Sequence, residues 1–120
     1  MEDQIEGGCF CGSIRYAFEQ NDYPSGNCHC SMCRRTSAAP FVPWLVVPLK
    51  NFEYTKGTPK RLASSSHGTR YFCEHCGTPV ACILEKDPEN IDITICSLDQ
   101  PESFSPKADI YTSTKLPWIN

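Results

Sequence analysis

With 120 residues, 40% of them hydrophobic, the chain can build one modest core, and a single domain over residues 1–120 is expected. A net charge of −3 argues against nucleic acid as a partner, since binders of it carry a basic balance or stripe. No apolar run reaches the roughly eighteen residues a membrane span needs, so no membrane partner is expected.

Ten prolines, seven glycines and nine cysteines favour turns and short strands over long helices, and the elements read as mainly β. In "SIRYAFE" (13–19), Ile14, Tyr16 and Phe18 alternate with smaller or polar residues, the period of a half-buried strand. A short helix is expected around "SMCRRTS" (31–37), with Pro40 to stop its extension. The run "APFVPWLVVP" (39–48) is rich in strand formers, but Pro43 inside it suggests an edge strand or a bulge. Residues 52–57 and 61–66 read as two strands joined near Gly57-Thr58-Pro59, and His67-Gly68 as a turn leading back into Tyr71-Phe72. The clearest strands are "PVACILE" (79–85) and "IDITICSL" (91–98), followed by a last element at "ADIYTS" (108–113).

The N-terminal "MEDQIEGGCF" is acidic and lacks the pattern of a signal peptide, so a cytoplasmic location is expected. In that reducing compartment nine cysteines point to metal rather than to disulfides, and an odd count fits a disulfide framework badly. Seven of them fall into three blocks: Cys9 and Cys11; Cys28, Cys30 and Cys33; Cys73 and Cys76. Thiolates from tight turns suit tetrahedral Zn²⁺, and Gly12 and Gly77 after the paired cysteines can adopt the positive φ of such a turn. Cys9, Cys11, Cys73 and Cys76 together make a complete four-thiolate structural site. That leaves Cys28, Cys30 and Cys33 for a second, three-ligand site with an open position, the reactive arrangement. His29, His75, Cys82 or Cys96 could instead close it, and the blocks could be recombined. Cys82 and Cys96, inside apolar runs, read first as buried packing residues.

The segments "GGCFCGSIRY", "CHCSMCRRTSAAPF", "RYFCEHCGTPV" and the closing "KLPW" resemble the glutathione-dependent formaldehyde-activating enzyme family over residues 7–118. The resemblance implies a zinc-binding β-tent fold, with a structural zinc on Cys9, Cys11, Cys73 and Cys76. It implies a catalytic zinc on Cys28, Cys30 and Cys33, hence two Zn²⁺ per chain. The implied activity is that of a carbon–sulfur lyase, joining glutathione and formaldehyde as S-(hydroxymethyl)glutathione and reversing the step. Two positions depart from the family pattern. Ala38 stands where a glycine is usual, a minor change if the backbone there is unstrained. Asp109 falls where a histidine before the terminal proline-tryptophan is common, which bears on the substrate.

Glutathione carries two carboxylates, and the planar fork of an arginine suits them. Arg34 and Arg35, directly after Cys33, are the expected substrate-binding residues, with Arg70 a weaker candidate. His29 lies between two expected ligands, where a proton-carrying role competes with simple exposure to solvent. Phe41, Trp44 and Trp118 either line a pocket or pack in the core. The alternative function is a non-catalytic, zinc-stabilised β-tent protein that binds a partner protein; the oligomeric state stays open.

Overall fold

Ten strands and one helix form within residues 4–119, the part of the chain described by the computed structural model. β1 (Gln4–Gly8), β2 (Arg15–Glu19) and β5 (Phe52–Lys56) make a three-stranded antiparallel sheet in the order β1-β2-β5. A seven-stranded sheet combines β3 (Ser25–Cys28), β4 (Val42–Pro48), β6 (Lys60–Ser65), β7 (Gly68–Phe72), β8 (Pro79–Leu84), β9 (Asn90–Thr94) and β10 (Asp109–Ile110). Its order is β10-β3-β4-β9-β8-β7-β6, antiparallel except where β10 lies parallel to β3. The mainly β expectation holds.

Strand alternation splits the large sheet into two faces. Leu45, Val47, Ala81, Ile91 and Ile93 are buried on one face and pack with Tyr16 and Phe18 of the small sheet. Each such side chain contributes roughly 1.5–3 kcal/mol on burial, so this layer is the main source of stability. The other face carries a second cluster, where Cys28, Val42, Trp44 and Cys82 pack with Cys33 of the helix. One sheet thus serves two purposes: a core behind, a site in front.

The helix α1 spans Ser31–Ser37, as expected. Cys30 caps it, its sulfur accepting the Cys33 backbone N–H at 3.2 Å. Its end is set by Ala38, at φ 50° and ψ 46°, before Pro40 is reached. This is the left-handed conformation that glycine adopts freely at helix ends and other L-residues adopt at a cost. The alanine at this position is therefore strained.

Three further expectations are corrected. Pro43 lies in β4, between β3 and β9, not in an edge strand. It is tolerated because Val46 directs its N–H toward β3, which turns position 43 toward the β9 side, and β9 pairing ends at Trp44↔Thr94. The strand expected over 91–98 stops at Thr94 and gives way to a 3-10 turn over Ile95–Ser97, which puts Cys96 on the surface. The strands expected at 52–57 and 61–66 form as β5 and β6, joined over 57–59, and they enter different sheets. His29 is 1% exposed, so it is not a solvent-facing loop histidine. β1 and β3 were not anticipated: "QIEGG" and "SGNC" hold too few apolar residues to alternate.

Candidate metal centres

The loop between β1 and β2 carries Cys9 and Cys11, and the loop between β7 and β8 carries Cys73 and Cys76. Although the loops belong to different sheets, they come together, and the four sulfurs lie within 4.8 Å of one another. The Cys9–Cys11 and Cys11–Cys73 sulfurs are 3.7 Å and 3.8 Å apart. A tetrahedron with metal–sulfur bonds of about 2.3 Å has edges of about 3.8 Å, so the donor set fits a zinc ion.

Each loop is a tight knuckle. Gly12 and Gly77 take φ of 84° and 83°, and Gly77 donates its N–H to the Cys73 carbonyl at 2.8 Å. The N–H groups of His75 and Cys76 point at the Cys73 sulfur, both at 3.4 Å, and that of Ile14 at Cys9 at 3.3 Å. Such bonds favour the thiolate form that a metal requires. Thr78 was missed by the sequence reading. Its hydroxyl lies 3.2 Å from the Cys76 sulfur and accepts the Phe10 N–H at 3.0 Å, tying one knuckle to the other. The Thr78 hydroxyl bond holds the Cys76 thiol down at about 5.

The second group is smaller. Cys28 ends β3, Cys30 caps α1, and Cys33 sits one turn into the helix, with the three sulfurs within 4.8 Å of one another. Among the described residues neither His29, His75, Cys82 nor Cys96 joins this group. Cys28 and Cys33 are buried, and their sulfurs share a hydrogen bond of 3.3 Å. That bond holds Cys33 down at about 5 against burial and drives Cys28 upward, so the pair releases one proton readily and keeps the other. Three soft donors on one side of a helix N-terminus fit a borderline-soft cation such as Zn²⁺. Cys82 packs beside them in the sheet, where burial pushes its thiol up to about 11.

The sequence model of the glutathione-dependent formaldehyde-activating enzyme family matches residues 4–114. The chain belongs to this family. It is 28% identical to an uncharacterized lyase of Schizosaccharomyces pombe, with 91% of each chain covered. It is 25% identical to a Halomonas elongata protein that carries the provisional name of glutathione-dependent formaldehyde-activating enzyme, covering 96% of this chain and 79% of that protein. A crystal structure of a Rhodobacter sphaeroides protein shares the fold with a TM-score of 0.71 at 19% identity, over 87% of this chain and 98% of that one.

Other residues singled out on sequence take definite places in this family member. Arg34 and Arg35 line an open surface groove with Ala38, Ala39, Pro40, Leu116 and Trp118. Arg70, the weaker candidate, is the arginine at the three-thiol group, its Nη2 donating to the Cys33 sulfur at 3.6 Å. Trp44 lies under its guanidinium, 6.0 Å from ring centroid to Cζ. Phe41 packs against the His29 ring at 5.0 Å. The Asp109 carboxylate hydrogen-bonds His29 Nε2 at 2.9 Å. Trp118 remains 67% exposed.

Proposed function

We propose that this family member is a single-domain zinc enzyme over residues 1–120, a carbon–sulfur lyase joining a thiol such as glutathione to formaldehyde or a related carbonyl compound. The observation that carries this reading is the group of three thiols with no fourth protein donor among the described residues, set beside a cavity. In the forward direction the thiol sulfur forms a bond to the carbonyl carbon, the C=O π-bond breaks, and the thiol proton ends on the oxygen.

Cys9, Cys11, Cys73 and Cys76 hold a structural zinc that staples the first hairpin to the β7–β8 turn. Cys28, Cys30 and Cys33 hold the catalytic zinc, which when bound lowers the pKa of a substrate thiol and polarises a carbonyl oxygen. The N–H groups at the start of α1 and the Arg70 guanidinium offset thiolate charge, since Arg70 and the Cys33 amide both point at these sulfurs. Arg34 and Arg35, on the outer side of the helix, present guanidinium forks to a carboxylate of the substrate. No helix among the described residues is long and apolar enough to cross a membrane, which leaves the cytoplasmic reading as part of this proposal.

The test is metal stoichiometry with ligand competition. The purified protein should hold two zinc ions per chain. With cobalt in the three-thiol site, glutathione should strengthen the sulfur-to-metal charge-transfer band, as an added thiolate ligand does. A band unmoved by glutathione, or a protein with a single zinc that Cys30→Ser leaves in place, overturns the reading.

A further inference from the structure

A cavity of about 320 Å³ lies on the front of the large sheet, lined by Thr36, Trp44, Leu62, Arg70, Phe72 and Pro79 among others. Its size falls within the range of small-molecule sites. Formaldehyde has only two heavy atoms and the bulk of about two waters, roughly 60 Å³, so it would fill a small part of this space. The cavity therefore suits a larger body.

Its walls are mostly apolar, and Arg70 is the charged residue among them. The guanidinium is fixed on three sides. Nε donates to the Ser64 hydroxyl at 3.2 Å, Nη2 to the Cys33 sulfur at 3.6 Å, and the Trp44 ring lies beneath. Nη1 makes no hydrogen bond to the described residues, and no carboxylate lies within ion-pair distance of Arg70 among them. An arginine drawn partly out of water ordinarily pairs with anions, and those of Arg70 are the Cys33 sulfur and, further off, the Asp92 carboxylate, neither of which takes Nη1. This one is locked in place with donors to spare, facing a cavity. The register explains the lock: Arg70 is opposite Cys82 and Leu62, in the middle of a three-strand row that directs it onto the same sheet face as Cys28 and Trp44.

We infer that Arg70 is a carboxylate-binding residue of the substrate site, and that the cavity it lines takes one anionic arm of the thiol substrate. The inference rests on the thiol-substrate reading above and assigns the arm's location. A guanidinium that touches both the Cys33 sulfur and the cavity sets the distance between the substrate's sulfur and its carboxylate. Thiols of the wrong length then lose one contact or the other. Arg34 and Arg35, on the outer groove, remain for the second carboxylate of a two-armed thiol such as glutathione.

The experiment measures the affinity of the zinc-loaded protein for glutathione and for its diamide, in which both carboxylates are neutral. The parent should prefer glutathione by about ten- to hundredfold or more, the size of lost charged hydrogen bonds. Arg70→Met should lose about tenfold of that preference while binding the diamide as the parent does. If Arg70→Met does not fold, Arg70→Lys takes its place. It keeps the charge but not the fork, and the preference should still fall severalfold. A preference that survives intact in a folded Arg70 variant overturns the inference and leaves the thiol reading standing. An equal loss for glutathione and diamide also overturns it, by making Arg70 a support for the thiolates alone. A parent that binds neither compound overturns the thiol-substrate reading itself.

Discussion

The His29 ring, 1% exposed, is joined through Nε2 to the Asp109 carboxylate at 2.9 Å, across a separation of eighty residues. This bond fastens the C-terminal segment to the loop that bears Cys28 and Cys30. Backbone bonds run alongside it: the Asn27 N–H reaches the Ala108 carbonyl at 2.8 Å, and the His29 N–H reaches that of Ile110 at 3.0 Å. Thr114 adds a fourth tie, its hydroxyl donating to the His29 carbonyl at 2.9 Å. The His29 hydrogen bond also holds the Asp109 carboxyl below its usual range. Asp109 thus supplies a partner for a buried ring.

Asp109→Ala should loosen that junction. His29 Nδ1 already has no partner among the described residues, so among them the variant leaves the ring without a hydrogen bond. Amide hydrogen exchange at Asn27 and His29 should speed up relative to the parent, while exchange in β8 stays slow. Unchanged protection at both amides would mean that the backbone pairing of β10 with β3 suffices without the carboxylate.

The two thiol groups should respond differently to the loss of one sulfur. Cys73 is fully buried and takes two backbone N–H bonds, in a site that ties chain segments sixty residues apart. Cys73→Ser should release zinc and lower the folded yield, because binding energy at such a site is folding energy. Cys30→Ser should instead keep the fold, since its three ligands span only residues 28–33, and a hydroxyl can still cap α1. It should lose thiol binding. Equal loss of melting temperature in the two variants would show a second structural site.

Ala38→Gly should stabilise the protein. The left-handed φ of 50° costs an alanine about 1 kcal/mol that glycine does not bear. The entropy of the more flexible unfolded chain offsets part of the gain. A rise in melting temperature of about 2–5 °C is expected, and a fall would show that the conformation carries no strain.

The sequence carried strong signals wherever periodicity or spacing had a physical cause. β2 was visible because Tyr16 and Phe18 must be buried, and α1 because Pro40 limits how far a helix there can run. The cysteine blocks were visible because metal geometry demands close donors. Short strands that are held by their neighbours were not visible. β3 has little apolar pattern of its own and forms because β4 and β10 flank it. The surface position of Cys96 was hidden for a similar reason. "IDITICSL" reads as one strand, yet Thr94 turns its hydroxyl onto the Pro79 carbonyl at 2.9 Å and Ser97 bonds back to the Thr94 carbonyl at 2.8 Å, ending it. Arg70 ranked low because its place beside Cys33 arises from strand register, which joins residues thirty-seven apart.

Register also explains the last prediction, which concerns Asp92. It stands opposite Cys82 and Val46 in the middle of the large sheet, on the face that carries the three thiols. Burial pushes its carboxyl up to about 6, with Asp87 and Cys33 adding to the shift and Arg70 opposing it. An unfolded aspartate titrates near 3.9. The folded state therefore holds the proton more tightly than the unfolded state does. The stabilising effect of that proton is full below about pH 4 and is lost as pH rises through about 6, so well above pH 6 the ionised, poorly solvated carboxylate costs about 3 kcal/mol. Asp92→Asn removes the charge with little change in shape. The variant should be more stable than the parent by about 2–3 kcal/mol at pH 7.5, with the gain falling to about half by pH 5. Denaturant unfolding of both proteins at the two pH values measures it. A gain independent of pH would place the effect in packing, and a loss at pH 7.5 would mean that the carboxylate is held by a partner stronger than Arg70.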